Sequence, residues 1–245
     1  YREYLAEFIG TAILLFLGDS VVAMTVFHKD TAGAAYLAIT IGWGVALICA
    51  LYVAGPISGG HFNPAVTIAA AVHRGFSWKK VPGFIAAQMV GAFVGAALVF
   101  AQYRSAFHAY DGGVRAVTGD TATAGIFATY PSAYMTHLNA VWNEFITTAM
   151  LIIAIYGCVD PRGKGAVGHS TLAIGFILIA IGLCIGHGTG YAINPARDFG
   201  PRVFTAAAGW GADVFSAADY YFWIPLIIPV PGAIFGGYVY DFFIH

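Results

Sequence analysis

Hydrophobic residues along the chain fall into long runs that are separated by shorter polar stretches. Six runs approach or exceed the roughly 18 residues needed to cross a bilayer core of about 30 Å. The pattern therefore predicts an all-α membrane protein with six transmembrane helices. The six runs cover residues 4–26, 34–54, 81–102, 138–158, 168–186 and 221–242.

Two further apolar stretches are too short to cross a bilayer. Each begins with Asn-Pro-Ala after a loop that contains glycine, in "GGHFNPAVTIAAA" and "GYAINPARDFGPR". Asn is a good helix N-cap and Pro suits the first helical position, so we expect helices to begin at Asn63 and Asn194. Gly75 and Gly209 are plausible ends for them. Each helix would then be roughly 16–21 Å long, about half of a membrane.

The two halves of the sequence resemble each other. "AEFIGTAILL" aligns with "NEFITTAMLI", which pairs Glu7 with Glu144, and the two Asn-Pro-Ala segments follow in the same order. Each half has three spans, an odd number, so the second half enters the membrane inverted relative to the first. We interpret the chain as a first repeat, a connecting extramembrane loop and a second repeat, at residues 1–102, 103–137 and 138–245.

An inverted repeat brings the two Asn-capped helix starts together near the membrane midplane. Irregular backbone at that depth is tolerated only where it lines a water-filled cavity, and two positive helix ends facing one point oppose cations. Backbone carbonyls before each helix would line this cavity and suit small neutral molecules that donate and accept hydrogen bonds. The residues that offer these carbonyls are Gly60, His61, Phe62, Gly190, Tyr191 and Ala192.

Composition supports a membrane protein. Only 9% of residues are charged, against roughly 25% in soluble domains. The net charge of −1 comes with no basic patch, so no nucleic acid partner is expected. The three cysteines have no CxxC spacing, and no nucleophile–base or metal-ligand cluster stands out. We therefore expect no enzyme activity, no cofactor and no metal.

The positions of lysine and arginine in the short loops predict the orientation of the chain. Six of them lie before the first span and in the loops after spans two and four, and three lie on the opposite side, which favours cytoplasmic termini. The six are Arg2, Arg74, Lys79, Lys80, Arg162 and Lys164, and the three are Lys29, Arg104 and Arg115.

The duplicated Asn-Pro-Ala boxes, the two "EF" first spans, "SGGHFNPAVT" and "INPARDFGPR" resemble the major intrinsic proteins, the aquaporins and aquaglyceroporins, over essentially the whole chain. The resemblance implies a homotetramer with one pore in each subunit. It also implies a narrowest point, the selectivity filter, at Trp43, Gly182, Tyr191 and Arg197. The boxes are Asn63, Pro64 and Ala65 in the first half, and Asn194, Pro195 and Ala196 in the second.

Three filter-region residues suggest the branch of the family. Water-specific members usually have His at the position of Gly182, so a glycine there implies a wider constriction. Asp198, which follows the second box, is more typical of glycerol-conducting members. The resemblance therefore favours the aquaglyceroporin branch. Tyr191 departs from the Phe that aquaglyceroporins often have, which leaves a mainly water-selective pore, narrowed by Tyr191, as an alternative.

Two charged residues, Arg197 in the second half-helix and Asp19 in the first span, have no obvious partner in the sequence. Arg197 lies three residues into its helix, beside a positive helix end that disfavours it, and is therefore a functional candidate. A salt bridge to Asp198 is disfavoured because neighbours in sequence do not face each other on a helix. Asp19 has no partner in the repeat, and we expect it at the outer vestibule with no assigned role.

Buried polar residues in the first span of each half are expected to support the pore structurally. Glu7 and Glu144 would accept hydrogen bonds from the irregular loops before the half-helices, with a proton relay as the alternative. Asp198 is placed in the same supporting group. His61 is interpreted as a structural hydrogen-bonding residue, with pH sensing as the alternative.

Taken with the resemblance, the sequence predicts a passive channel in the plasma membrane. The expected solutes are glycerol, water, and urea or other small polyols, while ions and protons are excluded. A secondary transporter also has inverted repeats and broken helices, but the sequence offers no paired midplane carboxylates near the boxes. A membrane junction or scaffolding protein is a third possibility.

Overall fold

The computed structural model describes residues 1–28, 34–162 and 168–244, and this part of the chain is helical without strands. Lys29 and Lys164, which entered the charge comparison, lie outside the described residues. The helices are α1 (Arg2–Phe27), α2 (Ala35–Ser58), α3 (Pro64–His73), α4 (Val81–Gln102), α5 (Arg104–Asp111), α6 (His137–Val159), α7 (Ser170–Ile185), α8 (Pro195–Thr205), α9 (Asp213–Tyr220), α10 (Trp223–Ile227) and α11 (Pro229–Phe243).

All six predicted spans are helical over most of their length. Four of them, α1, α2, α4 and α6, are each long and apolar enough to cross a membrane. The fifth is the 16-residue helix α7. The sixth is divided into α10 and α11 at Ile228, next to Pro229. Proline has no backbone N–H to donate, which interrupts the hydrogen-bond ladder at that point.

The two half-helices are α3, with 10 residues, and α8, with 11 residues. The side chain of Asn63 accepts the backbone N–H of Ala65 at 2.9 Å and caps α3. Asn194 caps α8 in the same way. Gly75 follows the end of α3 with a positive φ of 68°. Helix α8 ends before the predicted stop, because a five-residue π-helical turn, Ala206–Trp210, replaces its last part.

Glycines spaced four residues apart allow close crossings in both halves. A Cβ added to Gly91 of α4 would lie 2.4 Å from the carbonyl oxygen of Phe8 in α1. A Cβ added to Gly232 of α11 would lie 2.4 Å from the carbonyl oxygen of Phe145 in α6. Helix backbones therefore approach at the same kind of crossing in each half, because small residues permit the contact.

The connecting segment is more structured than the predicted extramembrane loop. It contains α5 and a short 3₁₀ helix, Ala124–Ile126. Phe107 and Phe127 are fully buried, and their rings stack with centroids 5.6 Å apart. The polar and turn residues around them concealed this core in the sequence. The segment packs into the helical bundle and, as described below, supplies two residues to the candidate site.

Candidate functional site

The two Asn-Pro-Ala boxes meet and bind each other. Nδ2 of Asn63 donates to the carbonyl oxygen of Ile193 at 2.9 Å, and Nδ2 of Asn194 donates to that of Phe62 at 2.9 Å. Each asparagine therefore caps its own half-helix and donates a hydrogen bond to the extended segment of the other half. A side-chain amide carries two N–H groups, so one on each asparagine is left to face a passing molecule.

The backbone before each box is held in an unusual conformation. Phe62, Tyr191 and Ile193 have positive φ values of 49°, 40° and 44°. Side-chain-bearing residues rarely adopt this region, and each costs energy that the surrounding structure has to supply. Fixed partners must therefore hold these two segments in place.

Glu7 of α1 holds the segment before the first box. Its Oε1 accepts hydrogen bonds from the Ser58 hydroxyl at 2.6 Å and from the His61 N–H at 3.0 Å. Its Oε2 accepts the Phe62 N–H and the side-chain amide of Gln88, both at 2.7 Å. The fully buried carboxylate thus has four donors, which offsets the cost of removing its charge from water.

Glu144 of α6 has the corresponding position in the second half. It is fully buried and accepts the backbone N–H groups of Ala192 at 3.0 Å and Ile193 at 2.8 Å. The two glutamates therefore bind the same part of each half, the residues directly before the asparagine.

A cavity of about 260 Å³ passes this meeting point. Part of its lining is apolar and includes Leu14, Leu47, Leu51, Leu151 and Leu178. The rest includes the extended backbone segments, the two box asparagines and two arginines. The predicted residues that line it are Trp43, Gly60, His61, Asn63, Tyr191, Ala192, Asn194 and Arg197, with Arg74 as the second arginine.

Several predicted residues are not among those that line the cavity. Two of them are Gly190 and Phe62, whose carbonyl accepts a hydrogen bond from Asn194, so the lining includes four of the six residues expected to offer carbonyls. The remaining members outside the lining are Pro64, Ala65, Gly182, Pro195 and Ala196.

His61 lines the cavity and is fixed by several contacts. Its Nδ1 lies 3.1 Å from the hydroxyl of Thr67. Its ring packs against Phe76 and Phe84, with centroids 4.9 and 5.3 Å away. The imidazole is thus held on both its polar and its apolar sides.

Arg197 is not isolated, contrary to the sequence interpretation. Its Nη1 donates to the carbonyl oxygen of Phe127 at 2.7 Å, and its guanidinium carbon lies 4.2 Å from the ring centre of Trp43. Nη1 also lies 3.7 Å from Oδ1 of Asp19. Asp19 is fully buried beside the arginine, and so does not face an outer vestibule as expected. The chain fold brings α1 and the connecting segment to the arginine, which local sequence did not indicate.

The ring of Tyr191 lies against Gly182 of α7 and against Gly186, the residue that follows this helix. A Cβ on Gly182 would come within 2.9 Å of its Cζ, and a Cβ on Gly186 within 2.2 Å of its Cδ1. The space left by the missing side chain at Gly182 is therefore filled by this ring and is not open. Gly186 was missed in the sequence, although its spacing of four from Gly182 is typical of close contacts.

Asp198 is bound to Arg202 and to the connecting segment. Arg202 Nε donates to its Oδ1 at 2.8 Å, and the N–H and hydroxyl of Thr129 donate to its Oδ2 at 2.8 and 2.6 Å. The i,i+4 spacing of Asp198 and Arg202 was a usable signal for this pair. Phe127 and Thr129 had none, because they act mainly through backbone groups from a distant segment.

Comparison with protein families gives a match to the family described as major intrinsic protein, over residues 1–240. The chain belongs to the major intrinsic protein family. The family match and the all-helical structure together confirm the predicted fold class, an all-α membrane protein. The members of this family are channels and not enzymes, so the candidate site is explained without a catalytic role.

Individual relatives are similar over nearly the whole chain. Aquaglyceroporin-3 of Trypanosoma brucei brucei is 50% identical over 244 residues, covering 100% of this chain and 79% of that protein. Aquaporin-9 of Homo sapiens is 42% identical, covering 98% of this chain and 81% of that protein. The X-ray structure of the aquaglyceroporin from Plasmodium falciparum superimposes with a TM-score of 0.89 at 32% identity, covering 99% of this chain and 96% of that chain.

Proposed function

We propose that this member of the major intrinsic protein family is a passive channel that conducts glycerol and water and excludes ions and protons. The observation that carries the proposal is the mixed lining of the cavity, which combines apolar side chains with fixed hydrogen-bond donors and acceptors. The similarity to aquaglyceroporins at up to 50% identity supports the same solute class.

The cavity chemistry suits a small polyol. A polyol has carbon–hydrogen groups on one side and hydroxyls on the other, and each hydroxyl both donates and accepts. Backbone carbonyls of Gly60 and Ala192 would accept hydrogen bonds, while the amides of Asn63 and Asn194 and the guanidinium of Arg197 would donate them. The leucines of the cavity lining would contact the carbon backbone of the polyol.

The filter is proposed at Trp43, Gly182, Tyr191 and Arg197. Arg197 is held against the Trp43 ring, so an aromatic face and a guanidinium edge lie side by side. Cation exclusion would come from the positive ends of α3 and α8, which meet at the box asparagines, and from the arginine. Metal ions and cofactors have no part in this function.

The alternatives fit the geometry less well. In a mainly water-selective pore Tyr191 would narrow the filter, but its ring is seated in the slot beside Gly182 and Gly186. A secondary transporter needs a coupling site, and the carboxylates of Glu7 and Glu144 are committed to holding backbone N–H groups.

The proposal extends to assembly and location. We expect a homotetramer in the plasma membrane with cytoplasmic termini, and urea and other small polyols as further solutes. Large apolar side chains are exposed on the outer faces of the spans, for example Tyr52, Val53, Val90, Leu98 and Phe176, as contact with lipid or neighbouring subunits would require.

Stopped-flow measurements on reconstituted vesicles test the function. Glycerol and water permeabilities should exceed those of empty vesicles, and the glycerol flux should rise linearly with concentration without an ion gradient. The control is Val66→Trp, which places a bulky side chain on the cavity wall and should block both. High water flux with background glycerol flux would support the water-selective alternative, and saturable, gradient-dependent flux would indicate a transporter.

A further inference from the structure

Asp19 is a buried carboxylate in α1 that the proposed pore does not otherwise use. Neither of its oxygens receives a hydrogen bond from the described residues, and its one ion pair there is with Arg197, at 3.7 Å. An ionised carboxylate that is removed from water needs a compensating charge. Arg197 is the cation placed to provide it.

The neighbouring carboxylate does not meet the same need. Asp198 follows Arg197 directly in sequence, but both of its oxygens are occupied by Arg202 and Thr129. The hydrogen bond that Arg197 donates to Phe127 ends on a neutral carbonyl. Within the described chain, Asp19 is therefore the carboxylate in contact range of the filter guanidinium.

The second half shows that this position on the first helix faces a cavity arginine. Asp19 is the twelfth residue after Glu7, and Tyr156 is the twelfth residue after Glu144. The ring centre of Tyr156 lies 3.8 Å from the guanidinium carbon of Arg74, which also lines the cavity. Equivalent positions therefore contact arginine in both halves, through an aromatic face in one and a carboxylate in the other.

We propose that Asp19 is a positioning residue that acts as the counter-ion of Arg197. It fixes the guanidinium on the α1 side, so that the arginine can donate hydrogen bonds to solutes without leaving an uncompensated charge in the membrane. Removal of Arg197 alone would then expose a negative charge at the constriction. This inference rests on the proposed filter role of Arg197.

A double-mutant cycle tests the charge. Arg197→Val introduces the residue that the first half has at the matching position, Val66. Reconstituted vesicles that contain this variant should leak potassium ions. Adding Asp19→Asn should lower that leak by at least about tenfold, since the nearby negative charge that attracts cations is gone. Adding Asp19→Glu should preserve the leak. Asp120→Asn, at an exposed site and in the Arg197→Val background, should leave the leak as it is.

Thermal unfolding of wild type, Asp19→Asn, Arg197→Val and the double variant gives an independent measurement. Asp19→Asn should lower the melting temperature when Arg197 is present, because it leaves the arginine unpaired. The same change should raise it in Arg197→Val, because it removes an unpaired buried carboxylate. A role of Asp19 that does not depend on Arg197 would not reverse the sign.

The outcomes separate the two proposals. If the double variant leaks as much as Arg197→Val, or if Asp19→Asn shifts the melting temperature in the same direction in both backgrounds, the counter-ion role of Asp19 is wrong. If Arg197→Val does not leak, the cation-excluding role of Arg197 fails instead, and the melting temperatures alone decide on Asp19.

Discussion

The width of the proposed filter depends on single residues that make room for one aromatic ring. Gly182 and Gly186 present no side chains to Tyr191, and the ring occupies the slot between them and the cavity. The hydroxyl of Tyr191 is buried without a hydrogen bond from the described residues. The ring, and not the hydroxyl, is thus the part of this side chain that shapes the filter.

Gly182→Ala should reduce glycerol permeability several-fold and water permeability much less. The new methyl group would lie 2.9 Å from Cζ of Tyr191 and 2.8 Å from Cγ2 of Thr40, so the ring has to move toward the cavity. Stopped-flow measurements of both solutes in vesicles would give the ratio. Gly125→Ala is the matched control, because an added Cβ there meets nothing within 4 Å.

Tyr191→Phe completes this comparison, since it removes the hydroxyl and retains the ring. It should leave glycerol permeability unchanged or raise it. An unaltered glycerol-to-water ratio in correctly folded Gly182→Ala would mean that the narrowest point lies elsewhere in the pore.

At the scale of elements, α8 is anchored to the connecting segment by hydrogen bonds between Thr129 and a buried ion pair within the helix, Asp198–Arg202. Arg202 is 1% exposed and donates to Asp198, to the carbonyl oxygen of Thr129 at 2.6 Å and to that of Val214 at 2.7 Å. The same segment supplies the Phe127 carbonyl to Arg197. The position of the filter arginine therefore depends on how α8 and this segment dock.

Arg202→Leu should lower the free energy of unfolding by about 3–5 kcal/mol, because it leaves the Asp198 carboxylate buried without its cation. Thermal or denaturant unfolding in detergent measures the change. Lys80→Gln is the control, since Lys80 and Glu3 form a pair with side chains 42% and 41% exposed. Exposed pairs contribute about 1 kcal/mol or less. If Arg202→Leu and Lys80→Gln lowered the free energy of unfolding equally, that result would argue against an anchoring role for Arg202.

At the scale of the whole molecule, the proposed inverted arrangement would put the termini and the connecting segment on opposite sides of the membrane. Lys79 lies in the loop between α3 and α4, and Asp120 lies in the connecting segment, and both are exposed. Single cysteines at these two positions would therefore report the two sides.

In cells, a membrane-impermeant maleimide added outside should label Asp120→Cys and not Lys79→Cys. The background for both is a chain in which the native cysteines are replaced by serine, because Cys184 is exposed. Permeabilised cells, in which both positions should react, provide the control. The reverse labelling pattern would show that the termini lie outside.

The sequence by itself determined the helical membrane fold and the starts of both half-helices. These features are local: run length against bilayer thickness decides where a span lies, and Asn followed by Pro decides where a helix begins. The odd number of spans in each half then led to the inversion. The positions of Asn63 and Asn194 follow from these rules without knowledge of distant contacts.

The tertiary structure decided which side chains meet around Arg197 and Tyr191. Asp19 and Phe127 reach the arginine from segments 178 and 70 positions away in the chain, and no local pattern reports such contacts. The missing side chain at Gly182 predicted open space, because the sequence does not show which neighbouring group fills the gap. Close packing fills such space with whichever group the fold brings nearest, and here that group is the ring of Tyr191.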